Sequence, residues 1–103
     1  MNNKLNNKTM KTKNQLFNLE VLVGNWESIN LNPTVIIYKN GNIYLLSFIH
    51  INETTKQASP ATYEIQEDKN GHFIYCNLKR ITIGYDAKSD LLNLSSLGNY
   101  MRN

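Results

Sequence analysis

The chain has one cysteine, Cys76, two prolines and five glycines among 103 residues, and charged side chains make up only 18% of it. A lone cysteine excludes an intramolecular disulfide and a cysteine-based metal cluster, so Cys76 reads as a small buried hydrophobe on a strand. No apolar run approaches the length of a membrane-spanning helix. The lysine-bearing N-terminus has no apolar stretch behind it of the kind a signal peptide needs, so a cytoplasmic location is the default expectation, with no membrane partner. Catalytic constellations are missing as well. His50 and His72 lie far apart with no carboxylate pattern beside them, and there is no His-x-x-x-His, no glycine-rich phosphate loop and no nucleophile elbow. Glu67-Asp68 has too few ligands for calcium. The expectation is therefore a protein that is not an enzyme and carries no cofactor and no metal.

Positive charge is scarce where it would matter for nucleic acid. The formal charge of +3 owes everything to Lys4, Lys8, Lys11 and Lys13. Without them seven basic side chains face eight acidic ones, so the folded part is close to neutral. A nucleic-acid binder carries its basic stripe on the fold itself, and Lys79-Arg80 is the only adjacent basic pair there. Tyr38, Tyr44, Tyr63 and Tyr75 are not interleaved with cations as a base-stacking groove requires. These grounds argue against nucleic acid as a partner.

What the chain does have is tyrosine, isoleucine and asparagine in short alternating segments, the composition of β-strands separated by turns. Residues 1–14 are Asn, Lys and Thr with little to bury and read as a disordered basic tail. Residues 15–103 read as a single domain. Leu16, Leu19, Val21, Leu22 and Val23 suit one or two helical turns, with Asn14 as N-cap and Gly24 as the stop. A first strand is expected over 25–31, ended by Asn32-Pro33. The strongest local signal is Asn40-Gly41, a hairpin turn between 34–39 and 42–51 that pairs Lys39 with Asn42. Further strands are expected over 61–66, 72–78, 81–85 and 91–95, with 97–103 as a cap or loose tail. Seven short strands at regular spacing imply an all-β, antiparallel up-and-down meander closing into a barrel or half-barrel behind a short N-terminal helix.

The central hairpin carries apolar residues on both faces: Val35, Ile37, Tyr44, Leu46 and Phe48 on one, Ile36, Tyr38, Ile43, Leu45 and Ile49 on the other. A half-exposed sheet alternates apolar with polar, so one of these faces calls for a cover. Two functions follow from this. The first is a protein-interaction module or homodimer that covers Ile36, Tyr38, Ile43 and Leu45. The second is a pocket for a small apolar ligand rimmed by Trp26, Tyr44, Phe48 and Tyr63. The interaction module ranks first, because seven short strands leave little cavity volume.

Leu22-Val23-Gly24-Asn25-Trp26-Glu27 ahead of an all-β meander resembles the lipocalin-like (calycin) pattern. The resemblance implies that Gly24 and Trp26 open the first strand, that Trp26 packs at the closed end of a barrel, and that an arginine near the last strand lies over it. Arg102 is the positional candidate and Arg80 a poorer one. Across residues 16–97 the chain also resembles a group of small uncharacterised Bacteroidetes proteins, often encoded on mobile elements, that open with Leu-x-Gly-x-Trp (Leu22, Gly24, Trp26 here). That likeness implies fold and lineage, not chemistry.

Overall fold

The computed structural model describes residues 17–103. The expected basic tail over 1–14 and the expected cap at Asn14 lie outside the described residues. The elements are a 3-10 turn (Leu19–Leu22) and nine strands: β1 (Gly24–Ser28), β2 (Thr34–Asn40), β3 (Ile43–Ile51), β4 (Ala58–Glu64), β5 (Gln66–Asp68), β6 (Gly71–Cys76), β7 (Lys79–Asp86), β8 (Leu91–Leu94) and β9 (Gly98–Arg102).

They form one sheet in the order β4-β3-β2-β1-β9-β8-β7-β6-β5. Sequence neighbours pair antiparallel, and the two ends of the meander meet where Trp26 of β1 stands opposite Arg102 of β9. Strands β4 and β5, the two edges, are joined through the single residue Ile65. The Ile65 amide donates to the Tyr44 carbonyl at 2.8 Å, extending the β3–β4 ladder by one step. At Gln66 the partner becomes Phe73 of β6. In effect β4 and β5 are one bent strand whose halves belong to opposite edges. This brings the sheet round into a nearly closed barrel with a seam between β4 and the end of β6.

Several expectations need correcting. Among the described residues no N-terminal helix forms; only the 3-10 turn does, capped by Asn18, whose side chain accepts from the Glu20 amide. The reason is competition for carbonyls. Those of Val21 and Val23 accept from the Arg102 guanidinium, and that of Leu22 accepts from the Trp26 indole at 2.8 Å. The carbonyls that would propagate a helix are thus held by side chains. The first strand ends at Ser28, not at residue 31, because the Ser28 hydroxyl accepts from the amides of both Asn30 and Asn32 and turns the chain.

The hairpin turn is displaced by one residue. Asn40 pairs with Ile43, so the loop is Gly41-Asn42, with positive φ on Gly41 (65°) and not on Asn42. That is the type II′ arrangement, with glycine at the first central position. Lys39 therefore faces Tyr44, not Asn42. Both strands keep their inward and outward sets, because the pairing slips by one residue on each strand together. Nine strands form where seven were expected. The tail over 97–103 contains β9, whose one buried residue, Tyr100, is fully enclosed.

Side chains facing into the barrel make the core, with Trp26, Tyr100, Leu22, Ile37, Leu46 and Ile74 fully buried. The outward set of the central hairpin stays partly open to solvent, Tyr38 at 37% and Ile43 at 39%. No described helix is long and apolar enough to cross a membrane.

Candidate functional site

Following the chain up and down the meander assigns every turn to one of two ends. The 3-10 turn and the turns at 41–42, 69–70 and 87–90 gather at one end. The loops at 29–33, 52–57, 77–78 and 95–97 gather at the other.

The first end is sealed by Trp26. Its indole is fully buried, and the Arg102 guanidinium lies over it, its Cζ 4.2 Å from the ring centroid. The same guanidinium donates to the carbonyls of Val21 and Val23 and pairs with Asp90 at 3.0 Å. Asp90 in turn accepts from the Tyr85 hydroxyl at 2.7 Å. The Arg102 bond, and then the Tyr85 bond, hold the Asp90 carboxyl below its ordinary range, while the Asp90 bond and burial push the Tyr85 hydroxyl up. One arginine thus joins the last strand, the chain entering the first strand and the β7–β8 turn. The arginine sought near the last strand is Arg102; Arg80 instead pairs with Asp68 and stacks on Phe73.

The opposite end is open. There the seam between β4 and β6 widens into a cavity of about 400 Å³. Phe48 and Tyr63 form one apolar wall, their rings 6.1 Å apart and edge to face, Ile81 and Leu97 come from β7 and the β8–β9 turn, and Pro33 completes the apolar lining. Across the seam the Cys76 thiol donates to the Tyr63 hydroxyl at 3.4 Å. The Cys76 sulfur beside it first, and burial second, raise the Tyr63 hydroxyl above its ordinary value. His50 and Lys79 stand at the rim. Among the described residues, Lys79 is the only lysine or arginine in the lining, which holds no carboxylate. A chamber of this size, largely apolar with a few polar groups at its edge, has the dimensions of a small-molecule site.

Of the four residues expected to rim a ligand pocket, the structure brings together Phe48 and Tyr63. Trp26 sits beneath Arg102 at the sealed end. Tyr44 lies at that end too, bonded to Glu20, with the Lys39 ammonium 5.6 Å from its ring. The part of the lining from β7 and the β8–β9 turn was invisible to sequence reasoning. Ile81 is legible as an inward strand residue, but nothing in the sequence says that it stands across a seam from Phe48. His72 is packed inside the barrel against Phe17, ring centroids 4.9 Å apart, with Glu67 3.5 Å from its Nε2. Among the described residues, no group of three or more His, Cys, Asp or Glu is placed to hold a metal ion.

Neither a curated protein nor a solved structure matches the chain. A family model described as "Domain of unknown function, B. Theta Gene description (DUF3876)" matches residues 9–102, nearly the whole sequence and all of the barrel, and the chain belongs to that family.

Proposed function

We propose that this protein is a lipocalin-like barrel that binds a small apolar ligand in the open-end cavity. The observation that carries the reading is the chamber itself. The bent β4–β5 strand leaves the barrel unzipped over one stretch, and Phe48, Tyr63, Ile81 and Leu97 line the space with apolar surface. With Lys79 as the one lysine or arginine in the lining among the described residues, the site favours a neutral or anionic ligand over a cationic one. The sealed end, with Trp26 under Arg102, supplies the rigid floor on which an open mouth can be held. On this reading ligand binding ranks ahead of the interaction module that two apolar hairpin faces and seven short strands favoured.

Titration with 1-anilinonaphthalene-8-sulfonate, an apolar anion of suitable size, tests the reading. Saturable one-site fluorescence enhancement is expected. Leu97→Trp at the mouth should weaken it at least about tenfold, since it excludes a ligand of a few buried carbons. Absence of saturation, or equal affinity in a folded Leu97→Trp variant, would sink the proposal.

A second reading has its own observation. Ile36, Tyr38, Ile43 and Leu45 share the outward face of the β2–β3 hairpin, and Tyr38 and Ile43 are each more than a third exposed. A homodimer or another protein packed on this face would give these side chains a partner. If a homodimer forms through it, Leu45→Glu converts a dimer into a folded monomer in light scattering. A wild-type protein that is monomeric at high concentration removes the homodimer.

A further inference from the structure

The four loops at the open end share a backbone feature with an unusual choice of residue. Each places a non-glycine residue at positive φ: Leu31 (64°), Lys56 (64°), Asn77 and Leu78 (54° and 66°), and Ser96 (64°). At the sealed end the turns use Gly41, Gly71 and Asp90 for the same purpose. Asparagine and aspartate enter the left-handed region readily, because their short polar side chains bond locally. Leucine does not, since its Cβ crowds the neighbouring carbonyl and no local bond compensates. Yet Leu31 is 96% and Leu78 100% exposed. Neither gains packing from the described chain that would offset its strain. Glycine or asparagine would suit both positions better, Asn-Gly being the pair preferred where both residues of a two-residue turn have positive φ, as Asn77-Leu78 do. Strain held without internal compensation is an observation from which a function is inferred.

Leu78 lies between Asn77 and Lys79 of the cavity lining and Leu31 two residues before Pro33 of it, while the half-exposed Ile29 and Ile51 stand at the ends of β1 and β3. The charge around them is sparse and leans positive. Lys79 follows Leu78 directly, and Lys56 shares its loop with Glu53; none of the three is ion-paired among the described residues, while Arg80 is held by Asp68. The apolar groups are single side chains on separate tips, with Asn30, Asn32, Asn77 and Ser96 between them. A protein interface is built on a continuous, well-packed apolar centre, which this end does not present. Separate tips suit a bilayer, where each buries itself independently among acyl chains and adjacent lysines remain at headgroup level.

We propose that the open end of the barrel is a lipid-surface contact: Leu31 and Leu78 insert into the bilayer interface, with Lys79 and Lys56 facing anionic headgroups. The contact sets the cavity mouth against the membrane, though it does not depend on the cavity being occupied. The sequence expectation of no membrane partner rested on the lack of a spanning segment, and a surface contact made by loop tips needs none.

Sedimentation of the full chain with vesicles tests this, using phosphatidylcholine alone and phosphatidylcholine mixed with phosphatidylglycerol. Binding is expected, stronger to the anionic vesicles and reduced by salt. Leu31→Asn and Leu78→Gly should each weaken partitioning about tenfold, and the double variant about a hundredfold. The same variants should unfold at higher urea concentration than wild type, because strain is relieved. A general folding defect cannot lower binding while raising stability. Lys79→Gln should remove only part of the preference for anionic vesicles. No binding of the full chain to either vesicle overturns the proposal, as does a double variant that binds like wild type. Should the protein ignore vesicles while the double variant turns an oligomer into a monomer in light scattering, the leucines belong to a protein contact and the lipid reading fails.

Discussion

Trp26→Ala is expected to destabilise the barrel by about 3–5 kcal/mol, the range for removing a large aromatic from a packed core. The side chain is fully buried, stands edge to face with Tyr85 at 6.4 Å and is covered by Arg102. Its removal opens a void at the sealed end and strips the Leu22 carbonyl of its 2.8 Å donor. A domain of this size has roughly 5–15 kcal/mol in total, so the variant should be largely unfolded at modest urea concentrations. Trp26→Phe separates the two contributions. It keeps most of the apolar volume and loses the indole N–H, leaving a buried acceptor unpaired at about 1–3 kcal/mol. Urea unfolding followed by far-UV circular dichroism measures both, since the variants lack the only tryptophan and its fluorescence. Equal stability of wild type and Trp26→Ala would mean that the sealed end is not the anchor of the fold.

What the sequence allowed and what it hid divide along the range of the interactions. Alternation is local, so the inward and outward faces of the central hairpin were readable, and they survived a turn displaced by one residue. The turn itself was misplaced because Asn40-Gly41 and Gly41-Asn42 both offer a glycine, and only the cross-strand ladder decides between them. Strand β9 was missed because its five residues bury one side chain, Tyr100, and one of its two pairing partners, β1, lies at the far end of the chain. The bend at Ile65 left no mark either. A single residue there changes partners from β3 to β6, an event set by how the whole sheet curls.

The site shows the same division. Phe48 and Tyr63 were legible because they sit on paired strands. Tyr44 shares their inward face, yet lies at the opposite end, a distinction that needs the strand direction as well as the face. Lys79, Ile81 and Leu97 required knowledge of which strand stands across the seam. The strained leucines were least legible of all, since Leu31 read as the end of a strand and Leu78 as the end of another. Their meaning comes from φ and exposure, neither of which composition carries.

Arg102→Ala should cost roughly 2–3 kcal/mol, the sum of charged hydrogen bonds lost at two backbone carbonyls and a cation–π contact, less what water restores at a partly exposed group. Arg102→Lys should recover little of it, because an ammonium cannot lie flat on the indole while reaching Val21, Val23 and Asp90 together. Gly24 belongs to the same unit. Its φ is 142°, and a Cβ added there would stand 3.1 Å from an Arg102 guanidinium nitrogen. Gly24→Ala therefore strains the backbone and pushes the guanidinium away from the Val23 carbonyl it serves. If that is how it acts, the two substitutions overlap, and Gly24→Ala/Arg102→Ala should be less destabilised than the sum of the singles by about 1 kcal/mol or more. Strict additivity in urea unfolding would mean that Gly24 acts through its own backbone alone. Coupling would explain why glycine, tryptophan and a distant arginine occur together: Gly24 makes room for the guanidinium, Trp26 supplies the face on which it rests, and Arg102 holds the entering chain against the strand that closes the barrel.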